Sequence, residues 1–169
     1  LLHGLAATLP DRGLPALSDE PDHSSPRPAR IAWAAALAAF LPFAALAAAL
    51  LATGRTSAMS GLLADAFKMW SAIVLAFLGG IRFGMDMRAG PADGRALSIA
   101  TLAALSGWGA MFLPDAWCIP VLMVAYGAHG AWDSLAAFRG EAPAWFGNLR
   151  IVMTLLIAAA HGAAFLALA

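Results

Sequence analysis

Long apolar stretches separated by short polar breaks dominate this chain, and the lengths of the stretches set the first expectation. Five apolar runs follow Arg30: Ile31 to Ala52, Gly61 to Phe83, Ala96 to Leu113, Ala116 to Phe138 and Leu149 to Ala169. Each approaches the roughly 20 residues that a helix rising 1.5 Å per residue needs to cross a ~30 Å hydrocarbon layer. The pattern predicts an all-α fold, a five-helix transmembrane bundle over residues 31–169, with loops too short to hide a soluble domain. The third run is the shortest. The second begins with Asp65 and Lys68, spaced i, i+3, which offset each other near the outer interface.

Residues 1–30 read differently. They hold Pro10, Pro15, Pro21, Pro26 and Pro28 and mix carboxylates with Arg12, Arg27 and Arg30. So little continuous apolar surface does not offset the entropy of ordering, and a disordered tail is predicted. Leu1 to Leu9 is mildly apolar, but it lacks a basic start and is broken by Gly4 and Thr8, so no signal peptide is expected there.

Composition narrows the class. Ten basic and ten acidic residues make 12% charge against 62% hydrophobic residues, with a mean hydropathy of +0.77. A soluble domain carries about 25% charge, so this surface is built for lipid. A net charge of zero removes the electrostatic basis for nucleic-acid binding. The lone Cys118 excludes an intrachain disulfide and a cysteine-based zinc site, and reads as a small packing residue.

Arginine placement orients the chain. With five crossings, one side collects Arg12, Arg27, Arg30, Arg82, Arg88, Arg95, Arg139 and Arg150, and the other holds Arg55 and Lys68. That bias places the N-terminus in the cytoplasm and the C-terminus outside. Trp33, Trp145, Trp117 and Trp108 sit where indole rings anchor at the headgroup boundary, while Trp132 lies beside Asp133. Alanine-rich helices favour close packing, and Pro42 should bend the first of them.

Few residues carry candidate chemistry. Phe77 through Gly84 ends the second run with Gly79, Gly80, Arg82 and Gly84. Gly80 and Gly84 form a Gly-x-x-x-Gly face for a neighbouring helix, and Arg82 is read as an arginine reaching back to the interface, with the binding of an anion or a partner carboxylate as the alternative. Asp133 would be costly facing lipid, so it is expected to face protein and meet Arg82 or Arg150 at the same membrane level. His129 shares a helix face with Asp133. His129 and His161 both lie roughly 14 to 17 Å from the arginine-rich boundary, a matched depth that permits a bis-histidine haem or metal site. The simpler reading is two histidines bonded to backbone carbonyls. No catalytic residue, no cofactor and no metal is expected, because no nucleophile with an adjacent base and no phosphate-binding motif is present. The stretch Asp86 to Arg95 reads as a solvated turn.

Leu41-Pro42-Phe43, Phe77 through Gly84, Asp133, Pro143-Ala144-Trp145, Leu149-Arg150 and Thr154 together resemble the domain of unknown function 3429 family of membrane proteins, which includes the mitochondrial transmembrane protein 69. The likeness covers about residues 31–169. It implies a small multi-pass protein of bacterial inner membranes or mitochondria, and it implies no activity. The alanine-rich, arginine-over-lysine composition suits a high-GC bacterium, so the expected location is the bacterial inner membrane. The leading expectation is an uncharacterised, non-enzymatic accessory or assembly factor that acts through helix packing, with the lipid bilayer and a larger membrane complex as partners. A small transporter or channel using Arg82, Asp133 and His129 is the alternative, and a haem-bearing electron carrier the second.

Overall fold

In a computed structural model, residues 26–88 and 94–169 are described, and all secondary structure within them is helical. The five helices are α1 (Pro26–Thr53), α2 (Ala58–Arg88), α3 (Gly94–Ala110), α4 (Asp115–Phe138) and α5 (Ala144–Leu168). Each packs on two neighbours in the ring α1, α2, α3, α4, α5, and α2 also touches α4 across the centre. Successive helices alternate in direction, so the start of α1, the end of α2, the start of α3, the end of α4 and the start of α5 meet at one end of the bundle.

Helix boundaries differ from the apolar runs in three places that matter for the site. α1 opens at Pro26 rather than Ile31, so residues 26–30 belong to the helix and not to a disordered tail. A helix's first turn leaves its N–H groups unbonded, so Pro26 and Pro28 fit there without loss. Residues 1–25 lie outside the described residues.

α2 runs on to Arg88, which takes Asp86 out of the expected turn and into the helix. Residues 89–93 of that turn also lie outside the described residues. α5 begins five residues before the expected Leu149, where the Pro143 carbonyl accepts from Phe146 N at 3.0 Å and Gly147 N at 3.3 Å. Arg82 and Arg150 are therefore well inside their helices.

Among the described residues two turns need glycine: Gly54 (φ 71°) after α1 and Gly140 (φ 78°) after α4 adopt the left-handed conformation that closes a helix C-terminus. Beyond Gly140, Glu141 N reaches back to Ala136 O at 2.9 Å.

The outside of the bundle is apolar. Leu41, Leu62, Phe77, Leu102, Val124 and Leu155, drawn from all five helices, are each more than half exposed, a surface that lipid covers and water does not. By length and composition Ala29–Thr53, Ala58–Arg88 and Ala144–Leu168 suffice to cross a membrane, and Leu97–Ala110 is a shorter apolar helix.

The core centres on Phe43, Phe67, Leu75, Leu122, Tyr126 and Ile157, all buried. Cys118 is buried among the apolar side chains of this core, as its sequence context suggested.

Small residues set the close approaches. A Cβ on Gly79 would strike the Ala100 carbonyl, and one on Gly107 would come within 3.1 Å of the Ala72 carbonyl, so α2 and α3 meet backbone to backbone. On the α4–α5 seam, a Cβ on Gly130 would collide with Thr154, and one on Gly147 would lie 2.6 Å from Ala137 Cβ. Gly80 and Gly84 have nothing within 4 Å of their added Cβ. The Gly-x-x-x-Gly face thus points out of the bundle. One residue is 100° of helix rotation, and it is Gly79, three residues before the buried Arg82, that shares the inward face of α2.

Candidate functional site

The end of the bundle where α2, α4 and α5 meet holds a cluster of charges taken out of solvent. Arg82, Asp133 and Arg150 are 7%, 2% and 4% exposed. α4 supplies Asp133 five residues before its end; α5 supplies Arg150 in its second turn; α2 supplies Arg82 six residues before Arg88. Arg150 Nε lies 2.7 Å from Asp133 Oδ2, and Arg82 Nη1 lies 4.0 Å from Asp133 Oδ1.

Arg82 does not reach back to the interface. Its Nε is held by Asp86 at 3.0 Å, one turn further along α2, and its Nη2 faces Glu141 at 3.8 Å. Two arginines and the carboxylates of Asp86 and Asp133 thus balance inside the bundle, with Glu141 at the rim. Removing such charges from water costs several kcal/mol per ion, and only mutual pairing makes the arrangement tenable.

The pairing is close without being fully bonded. The Arg150–Asp133 contact is off line for an N–H···O hydrogen bond, and Arg150 Nε and Nη2, Asp133 Oδ1, His129 Nε2 and Trp132 Nε1 are buried with no hydrogen-bond partner. His129 Nε2 stands 4.0 Å from Asp133 Oδ2, a distance that attracts but does not bond. His129 and Trp132 also line a 340 Å³ cavity between α3 and α4, whose remaining wall is apolar apart from Ser106.

His161 belongs to a different centre. Its Nδ1–H donates to Ile157 O at 2.8 Å, because a carbonyl can only accept. Nε2 is then the bare nitrogen, and Ser71 Oγ–H donates to it at 2.8 Å. Tyr126 donates to Ser71 O at 2.7 Å. The imidazole ring sits 4.9 Å from Phe67, 5.4 Å from Tyr126 and 5.7 Å from Phe43, centroid to centroid. With both nitrogens bonded inside an aromatic box, His161 is a satisfied packing histidine that ties α5 to α2.

His129 and His161 therefore face different neighbours, and the matched depth inferred from the sequence does not make them a ligand pair. Ser71–His161 is a hydroxyl beside a base, an arrangement absent from sequence reasoning because the two lie on separate helices. Both residues are fully buried, so as placed the pair joins helices rather than attacks a substrate. Among the described residues no group of three or more His, Cys, Asp or Glu could hold a metal ion.

At the opposite end Lys68 bridges Asp65 at 2.8 Å and Asp115 at 2.6 Å, adding the first residue of α4 to the pair expected within α2. Asp86 carried a visible signal in its i, i+4 spacing from Arg82. Ser71 and Tyr126 carried little, being single polar residues inside apolar runs. Trp70 was likewise silent in sequence; its indole N–H donates to Ala39 O at 3.1 Å and fastens α2 to α1 just before Pro42.

Fold and site together define a helical membrane protein whose buried ionisable groups are turned inward on one another. A family model for a protein of unknown function (DUF3429) matches residues 28–166, and the chain belongs to that family. Searches of curated proteins and of solved structures find no match to this chain.

Proposed function

We propose that this protein is a non-enzymatic accessory or assembly factor of a membrane complex, crossing the bilayer five times and presenting its outer helix faces to a partner. The observation that carries the reading is the inward closure of the charges. Arg82, Asp86, Asp133 and Arg150 face one another at one end of the bundle, and Asp65, Lys68 and Asp115 at the other. A bundle locked in this way is a rigid body that offers its neighbours packing surface. Gly80 and Gly84 on the outer side of α2, with Phe77 and Phe83 beside them, supply a face where another helix can approach closely. The arginine bias supports a cytoplasmic position for the end bearing Arg82 and Arg150, in keeping with a bacterial inner membrane as the site of action.

Site-specific photocrosslinking from position 84 in whole cells tests the reading. The expected product is a discrete adduct with a second membrane protein, weakened by Gly80→Leu. A chain that gives no protein adduct from position 84 or 77, and purifies alone in mild detergent, would overturn it.

One observation favours a transporter as the second reading: His129 and Trp132 leave buried N–H or ring nitrogen groups unbonded beside the 340 Å³ cavity. Unsatisfied polar groups at membrane depth are candidates for a pathway. Proton or ion flux in liposomes that disappears with Asp133→Asn would promote it over the accessory reading, and absence of flux in the wild-type chain would remove it.

A further inference from the structure

A second cavity, larger than the one beside His129 and Trp132, lies away from them. It is a 560 Å³ groove between α1, α2 and α5 that begins at Ala32, Met85 and Trp145 and ends at Phe43 and Ile157. Along α1 that is eleven residues, or about 16 Å at 1.5 Å per residue. The groove exists because the first half of α1 does not close onto its neighbours. No described residue of α1 before Phe43 is buried, whereas Phe43, Ala47 and Leu50 after Pro42 are. Of the α1 side chains that line the gap, Ala32, Ala35, Ala36 and Ala39 are too short to fill it, and the larger Phe40 and Phe43 lie at its far end.

An apolar gap of this length at membrane depth forfeits dispersion contacts unless something fills it, and the surrounding medium offers acyl chains. The groove is not uniformly apolar. Among the described residues lining it, Arg150 is the one charged residue, and that side chain is 4% exposed with its Nη2 unbonded. The same end of the bundle carries, among the described residues, Arg30, Arg82, Arg88, Arg139 and Arg150 against Asp86, Asp133 and Glu141. Arg30 stands exposed two residues before Ala32, at the mouth. A cationic excess at the mouth and the Arg150 side chain in the wall match a phosphodiester, which accepts from arginine as a forked anion.

We propose that this groove holds one acyl chain of an anionic phospholipid, with the headgroup phosphate at the arginine end against Arg150 and the chain running toward Phe43. The site is separate from the outer face of Gly80 and Gly84, and it requires only that the chain sit in a bilayer.

Photocrosslinking with diazirine-bearing lipids tests the proposal on the full chain, purified and delipidated in mild detergent. Phosphatidylglycerol and phosphatidylcholine with the same labelled acyl chain are compared, with labelled palmitate as a third probe. Phosphatidylglycerol should label residues 32–43 and Met153 about fivefold more than phosphatidylcholine does, because both present a phosphodiester but the choline cation of the latter is repelled by the arginine excess at the mouth, at about 1 kcal/mol per nearby arginine. Ala36→Phe fills the groove from α1 without touching the charge cluster, and should abolish that labelling while leaving the label on Leu62 and Leu102 unchanged. Arg150→Lys keeps a charge opposite Asp133 but loses the fork to the phosphodiester, and should reduce labelling by both phospholipids several-fold relative to palmitate. Equal labelling by the two phospholipids would overturn the headgroup assignment, and stronger labelling by palmitate would point to a free fatty acid instead. Unchanged labelling in Ala36→Phe would overturn the groove itself. Should that variant elute as aggregate, Ala32→Leu at the mouth serves the same purpose, and the wild-type comparison decides the headgroup in either case.

Discussion

Asp133 is the residue on which the buried charges depend, because among the described residues it is the only carboxylate placed between both arginines. With Asp133→Ala, Arg150 loses its anion and Arg82 keeps only Asp86 and the distant Glu141. The expected loss is about 3–5 kcal/mol, the range for breaking a buried pair from one side. Adding Arg150→Met to Asp133→Ala removes the stranded cation and should recover most of the loss. Unfolding in mixed micelles, followed by helical circular dichroism across the four chains of the cycle, measures it; strictly additive losses would show that the 2.7 Å contact is not energetically coupled. That Asp133 would meet an arginine was readable from helix ends and membrane level. Which arginine lies nearest was not, because the answer depends on α5 starting at Ala144, which buries Arg150 instead of leaving it in a loop.

At the level of elements, glycine position decides which helix faces meet. Gly130→Ala drives a methyl group into the Thr154 side chain, whose Cβ and Cγ2 both lie 3.0 Å from the new carbon. The chain should lose about 1–3 kcal/mol, as overpacked sites do, and Thr154→Ala in the same chain should restore much of it. Gly84→Ala meets open space and should leave stability within about 0.5 kcal/mol of the wild type. The same micelle unfolding separates the cases, and a neutral Gly130→Ala would mean that α4 and α5 are further apart than described. The existence and order of all five helices followed from apolar run length. The face of α2 that packs did not, because consecutive glycines differ by 100° around the helix axis and local sequence does not say which way a neighbour lies. Gly79 and Gly80 are next to each other in the chain and on different sides of the bundle wall.

For the molecule as a whole, the alternating helices and the gathering of arginines at one end make a topology that reporter fusions can check. A reporter active only in the cytoplasm should work when inserted in the turn at Gly140 and fail in the turn at Gly54, with the reverse for a reporter that matures outside. Activity on the same side at both turns would show that α2 to α4 do not cross an odd number of times, and would remove the five-crossing reading. The family membership spans nearly the whole bundle, residues 28–166, so the charge cluster, the aromatic box around His161 and the groove beside α1 all lie inside the matched region.

Composition and run length were enough to specify a helical membrane protein, because the bilayer penalises unbonded backbone so heavily that long apolar stretches have one way to fold. They were also enough to require that Asp133 face protein, since an ion facing lipid is costly wherever its partner lies. Only the tertiary structure decided the partners. The pairing of Ser71 with His161, the separation of His161 from His129, the turning outward of Gly80 and Gly84, and the gap that opens before Pro42 all depend on how one helix is rotated and spaced against another. Those rotations are set by contacts between residues far apart in the chain, and the pattern within any single helix does not contain them.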